Sequence, residues 1–202
     1  METGFVFLDE VLSGVRWDAK YATRDNFTGA PVDGYEVNRI VVSHAVADGL
    51  LEAKTRAAGL GWGLLLWDGY RPQRAVNRFM EWSEQPEDGR TKETFYPNID
   101  RAGMFTNGYV APKSGHSRGS AVDLTLYRID TGDLADMGGR HDLMDERSHH
   151  GAPGLSDIAG ENRRTLCSIM EGSGFQRYEC EWWHYSLKHE PYPDTYFDFP
   201  IS

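Results

Sequence analysis

The sequence is poor in cysteine and in clustered positive charge. Cys167 and Cys180 are the only cysteines among 202 residues, and neither belongs to a Cys-x-x-Cys pair. We expect two free thiols and no zinc site built on paired cysteines, because the chain shows no export signal that would favour a disulfide. The formal net charge of −10 argues against nucleic acid as a partner, since phosphate binding needs a basic surface.

Long apolar runs are also missing. No segment approaches the roughly 18 consecutive apolar residues that suggest a membrane helix, so we expect no membrane partner. Residues 1–10 lack the basic segment of a signal peptide and reach acidic residues at once. We therefore expect a cytoplasmic protein whose acidity keeps it soluble, and the sequence leaves a homodimer open.

What is present is typical of one globular domain. A chain of 202 residues with 26% charged and 12% aromatic residues can bury a core without disulfides, so we predict a single domain over residues 1–202. Ser43 is placed to cap a helix whose apolar positions Val46, Leu50, Ala53 and Ala57 follow helical spacing. Gly59 is placed to end this helix.

Further elements complete the fold prediction. Residues 64–67 are predicted to form a buried strand. Pro72 is predicted to start a second helix, and residues 156–172 are predicted to form a third helix. Residues 83–107, rich in proline, glycine and charge, read as a long surface excursion. We predict an α+β domain with a central, largely antiparallel sheet and flanking helices.

The first chemical cluster is residues 114–123, Ser-Gly-His-Ser-Arg-Gly-Ser-Ala-Val-Asp. Alternation over residues 120–127 predicts a strand with Val122 and Leu124 on one face and Asp123 on the other. Gly115 and Gly119 make a helix costly, so His116 is predicted to lie on a loop that enters this strand. The alternative is a glycine turn whose His116 and Asp123 satisfy only local hydrogen bonds.

The second cluster is Glu-Trp-Trp-His at residues 181–184. In a regular strand Glu181 and His184 point to opposite faces, because their offset of three is odd. We therefore predict that Glu181 lies on a loop or bulge just before the strand that carries His184, with Trp182 and Trp183 as core or pocket wall. The two clusters together supply the imidazoles and carboxylates that an open catalytic zinc site requires, so we predict a zinc site at the sheet.

Arg71 and the remaining histidines have competing interpretations. Arg71 lies in a tight turn between a strand and a helix, where its guanidinium is placed to stabilise an oxyanion. The alternative is an ion pair with Asp68 or another acid. We interpret His149 and His150 as members of a polar loop rather than ligands, and His44 and His189 as surface residues. His141, next to Asp142, stays open.

The order His-x6-Asp followed by Glu-x-x-His resembles the zinc D,D-peptidases, and among them most closely the VanX-type D-alanyl-D-alanine dipeptidases. The similarity covers nearly the whole chain, in residues 15–23, 25–29, 67–72, 116–126, 144–150 and 181–184. Gly115 is a departure, since a second serine beside Ser114 also fits the family pattern.

The resemblance implies a site and a reaction. It implies that His116, Asp123 and His184 bind one Zn²⁺ ion, with Glu181 as general base and Arg71 at the oxyanion. A dipeptide also needs partners for its two charged ends. We expect Asp142 and Tyr21 at the ammonium, and Ser114 and Tyr35 at the carboxylate.

The reaction implied is hydrolysis of D-alanyl-D-alanine, a small dipeptide, which depletes a peptidoglycan precursor and supports glycopeptide (vancomycin) resistance. The alternatives are a D,D-carboxypeptidase, a nutrient-recycling dipeptidase, and a zinc-stabilised binding domain without turnover. Glu181 discriminates against the last of these, because a purely structural site has no need of a base.

Overall fold

Seven strands and six helices make up the computed structural model, which describes residues 2–202. In chain order the strands are β1 (Phe5–Phe7), β2 (Arg16–Trp17), β3 (Val41–Ser43), β4 (Trp62–Asp68), β5 (Ala121–Arg128), β6 (Phe175–Tyr178) and β7 (Glu181–Leu187). The helices are α1 (Leu8–Val11), α2 (His44–Gly59), α3 (Gln73–Ser83), α4 (Lys92–Phe95), α5 (Arg101–Thr106) and α6 (Asp157–Gly172). The chain is a single compact α+β domain.

Five strands form the central sheet in the order β2-β4-β5-β7-β6. Only β2 and β4 run parallel, and every other neighbouring pair in this sheet is antiparallel. A small antiparallel sheet pairs β1 with β3. The prediction of a largely antiparallel central sheet is confirmed.

Helices α2 and α6 pack against each other and against the central sheet. The buried hydrophobic side chains between them form the first of two core clusters. Val46, Leu50, Ala53 and Ala57 are the buried positions of α2, as their helical spacing predicts. The side chains of Val122, Leu124 and Leu126 enter the same cluster from β5. Asp123, which alternates with them, is therefore directed to the opposite face of the sheet.

A second core cluster contains aromatic residues from the N-terminal region, α3 and the segment that follows α3. The surface assignment for residues 83–107 is wrong in part, because this segment contains α4 and α5 and buries Phe95, Tyr96 and Met104. Its charge is also used internally. Arg101 is 3% exposed, lies 4.1 Å from the Trp82 ring centroid and forms an ion pair with Asp88 at 2.6 Å.

Cys167 and Cys180 are free, as predicted. Among residues 2–202, no helix combines the length and hydrophobicity needed to cross a membrane.

Ser43 links α2 to the loop that carries His116. Its Oγ accepts a hydrogen bond from the Val46 amide at 3.3 Å and donates one to the Gly119 carbonyl at 2.6 Å. Ser156 caps α6 through the Ala159 amide alone. We expect Ser43→Ala to lower the free energy of unfolding by about 2 kcal/mol and Ser156→Ala by about 1 kcal/mol. Urea unfolding measures both, and equal losses would show that the Gly119 bond contributes nothing.

Candidate metal and catalytic site

The site contains a row of polar side chains that crosses three neighbouring strands. Asp123 in β5 lies directly opposite Asp68 in β4 and directly opposite His184 in β7. An irregularity between Leu66 and Asp68 makes this row possible. It inserts Trp67 as an extra residue, so that Asp68 rather than Trp67 faces Asp123.

A second irregularity resolves the odd spacing of Glu181 and His184. On β6, Arg177 pairs with Tyr185 while the next residue, Tyr178, pairs with Glu181, so β7 has extra residues between these two pairs. Glu181 is the first residue of β7, rather than preceding it as predicted. The irregular strand brings Glu181 Oε2 to 3.9 Å from His184 Nδ1.

His116 reaches the row from the loop before β5. Gly119 turns this loop at a φ of +66°, where a side chain would also overlap the Phe5 ring. The Nδ1–H of His116 donates to the Gly69 carbonyl at 2.7 Å, so Nε2 is the ring nitrogen that faces the other polar side chains. Gly69 has to be glycine, because a Cβ there would overlap the Val41 carbonyl oxygen.

Three donor atoms then converge. His116 Nε2 lies 3.1 Å from His184 Nδ1 and 3.3 Å from Asp123 Oδ1, and His184 Nδ1 lies 3.1 Å from Asp123 Oδ1. Ligand atoms on a tetrahedral zinc, each about 2.0–2.1 Å from the ion, are roughly 3.3 Å apart. The spacing and chemistry of this cluster therefore fit one zinc ion, as the only three-residue set of this kind in residues 2–202.

The outer contacts of these groups suit a metal ligand set. His184 Nε2 lies 3.2 Å from Ser186 Oγ, so both imidazoles have a hydrogen-bond partner on the nitrogen that faces away from the cluster. Burial by itself would raise the pKa of the Asp123 carboxyl. The charge of His116 and hydrogen bonds with the histidine rings outweigh it and hold this pKa well below its usual value. Asp123 is thus a carboxylate.

Glu181 is placed beside the donor cluster and outside it. Burial raises the pKa of Glu181 to about 7, an effect that His184 opposes and that the negative charge of Asp123 reinforces. Its side chain is 18% exposed and lines the cavity that contains the cluster. A carboxyl group with this pKa can both accept and return a proton near neutral pH.

Arg71 forms the ion pair with Asp68 that was one of its two interpretations. Its Nε donates to Asp68 Oδ2 at 2.9 Å, and one terminal nitrogen lies 3.4 Å from Asp123 Oδ2. The guanidinium also lines the cavity and lies 4.9 Å from the Tyr21 ring centroid. The ion pair with Asp68 therefore fixes the direction of the guanidinium at the site.

The cavity has a volume of about 250 Å³. Among the residues that line it are the predicted site residues Tyr21, Arg71, Ser114, His116, Asp123, Asp142, Glu181 and His184. Tyr35 is the exception. Its hydroxyl is buried and donates to Asp68 Oδ1 at 2.8 Å, so the placement of Tyr35 at the substrate carboxylate is corrected.

Asp142 has an unusual backbone and an unused oxygen. Its φ of +61° makes it the one non-glycine residue with positive φ within residues 2–202, in a left-handed conformation that aspartate adopts more readily than most residues. Oδ1 accepts a hydrogen bond from Tyr21 at 3.0 Å. Oδ2 is buried without a hydrogen-bond partner in the described chain, and burial raises the pKa of this carboxyl.

Two further residues support the cluster, and the sequence left the role of each open. His141 is buried with its Nε2 3.4 Å from Asp123 Oδ2, and Asp68 orients Arg71 from the adjacent strand. The signals for them were weak, namely a histidine beside Asp142 and an acid three residues before Arg71. His44 and His189 are exposed, and neither His149 nor His150 belongs to the donor cluster, as expected.

Comparison with known proteins gives the family. Residues 1–202 match the model of the Peptidase_M15 family, described as D-ala-D-ala dipeptidase. The chain is 67% identical to D-alanyl-D-alanine dipeptidase of Enterococcus faecium, 65% to that of Enterococcus faecalis and 64% to that of Streptomyces coelicolor. Each alignment covers 100% of both chains. The chain therefore belongs to the D-ala-D-ala dipeptidase family of Peptidase_M15 enzymes.

Proposed function

We propose that this enzyme is a zinc-dependent dipeptidase that hydrolyses D-alanyl-D-alanine to two molecules of D-alanine. The observation that carries the proposal is the convergence of His116, Asp123 and His184 within 3.3 Å of one another, beside Glu181. The names of the three full-length relatives support the choice of dipeptide. One zinc ion per chain is expected.

Hydrolysis adds water across the peptide bond, so a C–O bond forms, the C–N bond breaks and the leaving nitrogen gains a proton. A zinc ion held by His116, Asp123 and His184 would polarise the scissile carbonyl and acidify a water molecule. Glu181 takes the proton of the attacking water and returns it to the leaving amine. Its pKa of about 7 suits both transfers.

Arg71 stabilises the negative charge that develops on the carbonyl oxygen. Its guanidinium is oriented before the substrate binds, because Asp68 accepts from Nε at 2.9 Å. A preoriented donor costs no rearrangement when the charge forms, which is the condition for effective oxyanion stabilisation. The network Tyr35–Asp68–Arg71 gives Tyr35 an indirect place in this arrangement.

The two ends of the dipeptide need opposite partners. Asp142 Oδ2 is free to accept from the ammonium group, while Tyr21 holds Oδ1. Burial raises the pKa of Tyr21 well above its usual value, so its hydroxyl remains a donor. Ser114 Oγ accepts from the His116 amide at 3.2 Å, which leaves the hydroxyl hydrogen free for the substrate carboxylate.

Replacing Asp142 tests the assignment of the ammonium site. We expect Asp142→Asn to raise KM for D-alanyl-D-alanine by about 10- to 100-fold, because a hydrogen bond to a charged group contributes about 1.5–3 kcal/mol. Zinc content stays at one per chain, since Asp142 lies outside the donor cluster. Steady-state kinetics with metal analysis measures both, and an unchanged KM would reject the role.

Substrate choice and metal dependence are tested together. The purified protein is incubated with D-alanyl-D-alanine, L-alanyl-L-alanine and N-acylated D-alanyl-D-alanine, each with and without a chelator. We expect alanine release from the first alone, lost on chelation and restored by zinc. Release from the acylated dipeptide would instead indicate a D,D-carboxypeptidase. Zinc binding without release from any of them would indicate a binding domain.

We further propose that the reaction takes place in the cytoplasm, before the dipeptide is joined to the peptidoglycan precursor. Its removal there would deplete the D-alanyl-D-alanine terminus that vancomycin-type antibiotics bind. The alternative is a dipeptidase for nutrient recycling. Resistance conferred by the wild-type chain but not by a Glu181→Gln chain, expressed in a glycopeptide-sensitive host, would favour the first role.

A further inference from the structure

His141 occupies a position between the two carboxylates that the proposed function uses for different tasks. It is 5% exposed, and its Nε2 lies 3.4 Å from Asp123 Oδ2 and 3.5 Å from Asp142 Oδ1. Trp67 and Trp183 enclose the ring, with centroid distances of 4.8 and 5.4 Å. The imidazole is therefore held by packing in the orientation that directs Nε2 at both acids.

The surroundings determine which atom carries the proton. Both neighbours of Nε2 are carboxylate oxygens, which accept hydrogen bonds and do not donate them when ionised. Nε2 can interact favourably with them only as an N–H donor. His141 thus donates to Asp123 and directs the same N–H group toward Asp142.

The His141 N–H group helps to hold Asp123, the proposed metal ligand, in place. Asp123 Oδ1 faces His116 and His184, while Oδ2 is contacted by His141 and by Arg71 at 3.4 Å each. Arg71 is also needed at the oxyanion, and its shorter bond goes to Asp68. His141 has no such second task, so it can keep Oδ2 in place while Arg71 engages the substrate.

We propose that His141 is a positioning residue that fixes Asp123 as a metal ligand and couples it to the ammonium-binding carboxylate of Asp142. This inference rests on the proposed function. Partners in the outer shell of a metal site typically change metal affinity or activity by about 10- to 100-fold when removed. The contact of Nε2 with Asp142 Oδ1 at 3.5 Å also helps to hold Asp142, so its loss should also affect KM.

Two variants separate the donor from the ring. His141→Phe keeps an aromatic ring against Trp67 and Trp183 but removes the N–H, whereas His141→Gln keeps an N–H donor and removes the ring. The measurements are the zinc dissociation constant by chelator competition, KM and kcat for D-alanyl-D-alanine at saturating zinc, and Tm. His150→Phe is the matched control, because His150 lies outside the donor cluster and the cavity that contains it.

We expect His141→Phe to keep its Tm, to weaken zinc binding by about 10- to 100-fold and to raise KM more than it lowers kcat. His141→Gln should recover much of both losses. Wild-type zinc affinity and KM in His141→Phe would overturn the inference. If His141→Phe does not fold, His141→Gln decides. Zinc binding that is weakened by about 10- to 100-fold in His141→Gln, although this variant keeps an N–H donor, would assign His141 to packing alone.

The affinity comparison needs no turnover and so separates the two proposals. A wild-type chain that binds zinc but leaves D-alanyl-D-alanine intact contradicts the proposed function. The zinc dissociation constants of the His141 variants then still support or overturn the positioning of Asp123.

Discussion

A Glu181→Gln variant is expected to keep its zinc and to lose hydrolysis of D-alanyl-D-alanine by roughly 10²- to 10⁴-fold, the usual contribution of a general acid–base group. Glu181 Oε2 lies 3.9 Å from His184 Nδ1 and Glu181 is not part of the donor cluster, so we expect the metal not to depend on its charge. The amide has nearly the same shape but cannot take a proton from water. The measurement is kcat together with zinc content per chain.

Glu179→Gln is the matched control for this variant. Glu179 is exposed, two residues from Glu181, and its nearest partner is Arg177. We expect wild-type kcat from it. Full activity in zinc-loaded Glu181→Gln would remove Glu181 from the mechanism and would favour a different base.

A His116→Ala variant is expected to lose both zinc and activity. Its Nε2 is one of three donors that are 3.1–3.3 Å apart, and the remaining two groups cannot complete the three-ligand set of a catalytic zinc site. We expect less than about 0.1 zinc per chain after dialysis and a fall in kcat/KM of about 10³-fold or more.

Thermal unfolding gives a second readout for His116→Ala that does not depend on turnover. A ligand that binds only the folded chain stabilises it by about 2.7 kcal/mol at 100 times its dissociation constant. Added zinc should therefore raise the Tm of the metal-free wild type and leave that of His116→Ala unchanged. His150→Ala, outside the cluster, should respond as the wild type does. A zinc-dependent rise in His116→Ala would place the metal elsewhere.

Local pattern predicted the parts of this molecule that depend on neighbours in the chain. The spacing of Val46, Leu50 and Ala53 fixed the buried side of α2, and alternation gave Asp123 its direction. The odd offset of Glu181 and His184 indicated an irregular backbone, which β7 has. Each of these follows from the period of a helix or a strand.

Contacts between distant residues could not be predicted in the same way. The hydroxyl of Tyr35 meets Asp68, 33 residues away, and this contact keeps Tyr35 out of the cavity. The extra residue at Trp67 brings Asp68 opposite Asp123, and no spacing in the chain indicates where such an irregularity falls. Residues 83–107 were predicted to lie at the surface, because their buried residues are few among many charged ones. Only the packing against α3 identifies the buried ones.

The proposed zinc site is tested most directly by a crystal structure of the purified protein with anomalous diffraction data at the zinc absorption edge. We expect one zinc peak per chain, within about 2.0–2.2 Å of His116 Nε2, Asp123 Oδ1 and His184 Nδ1. No zinc at this position, or a zinc ion held by other residues, would contradict it.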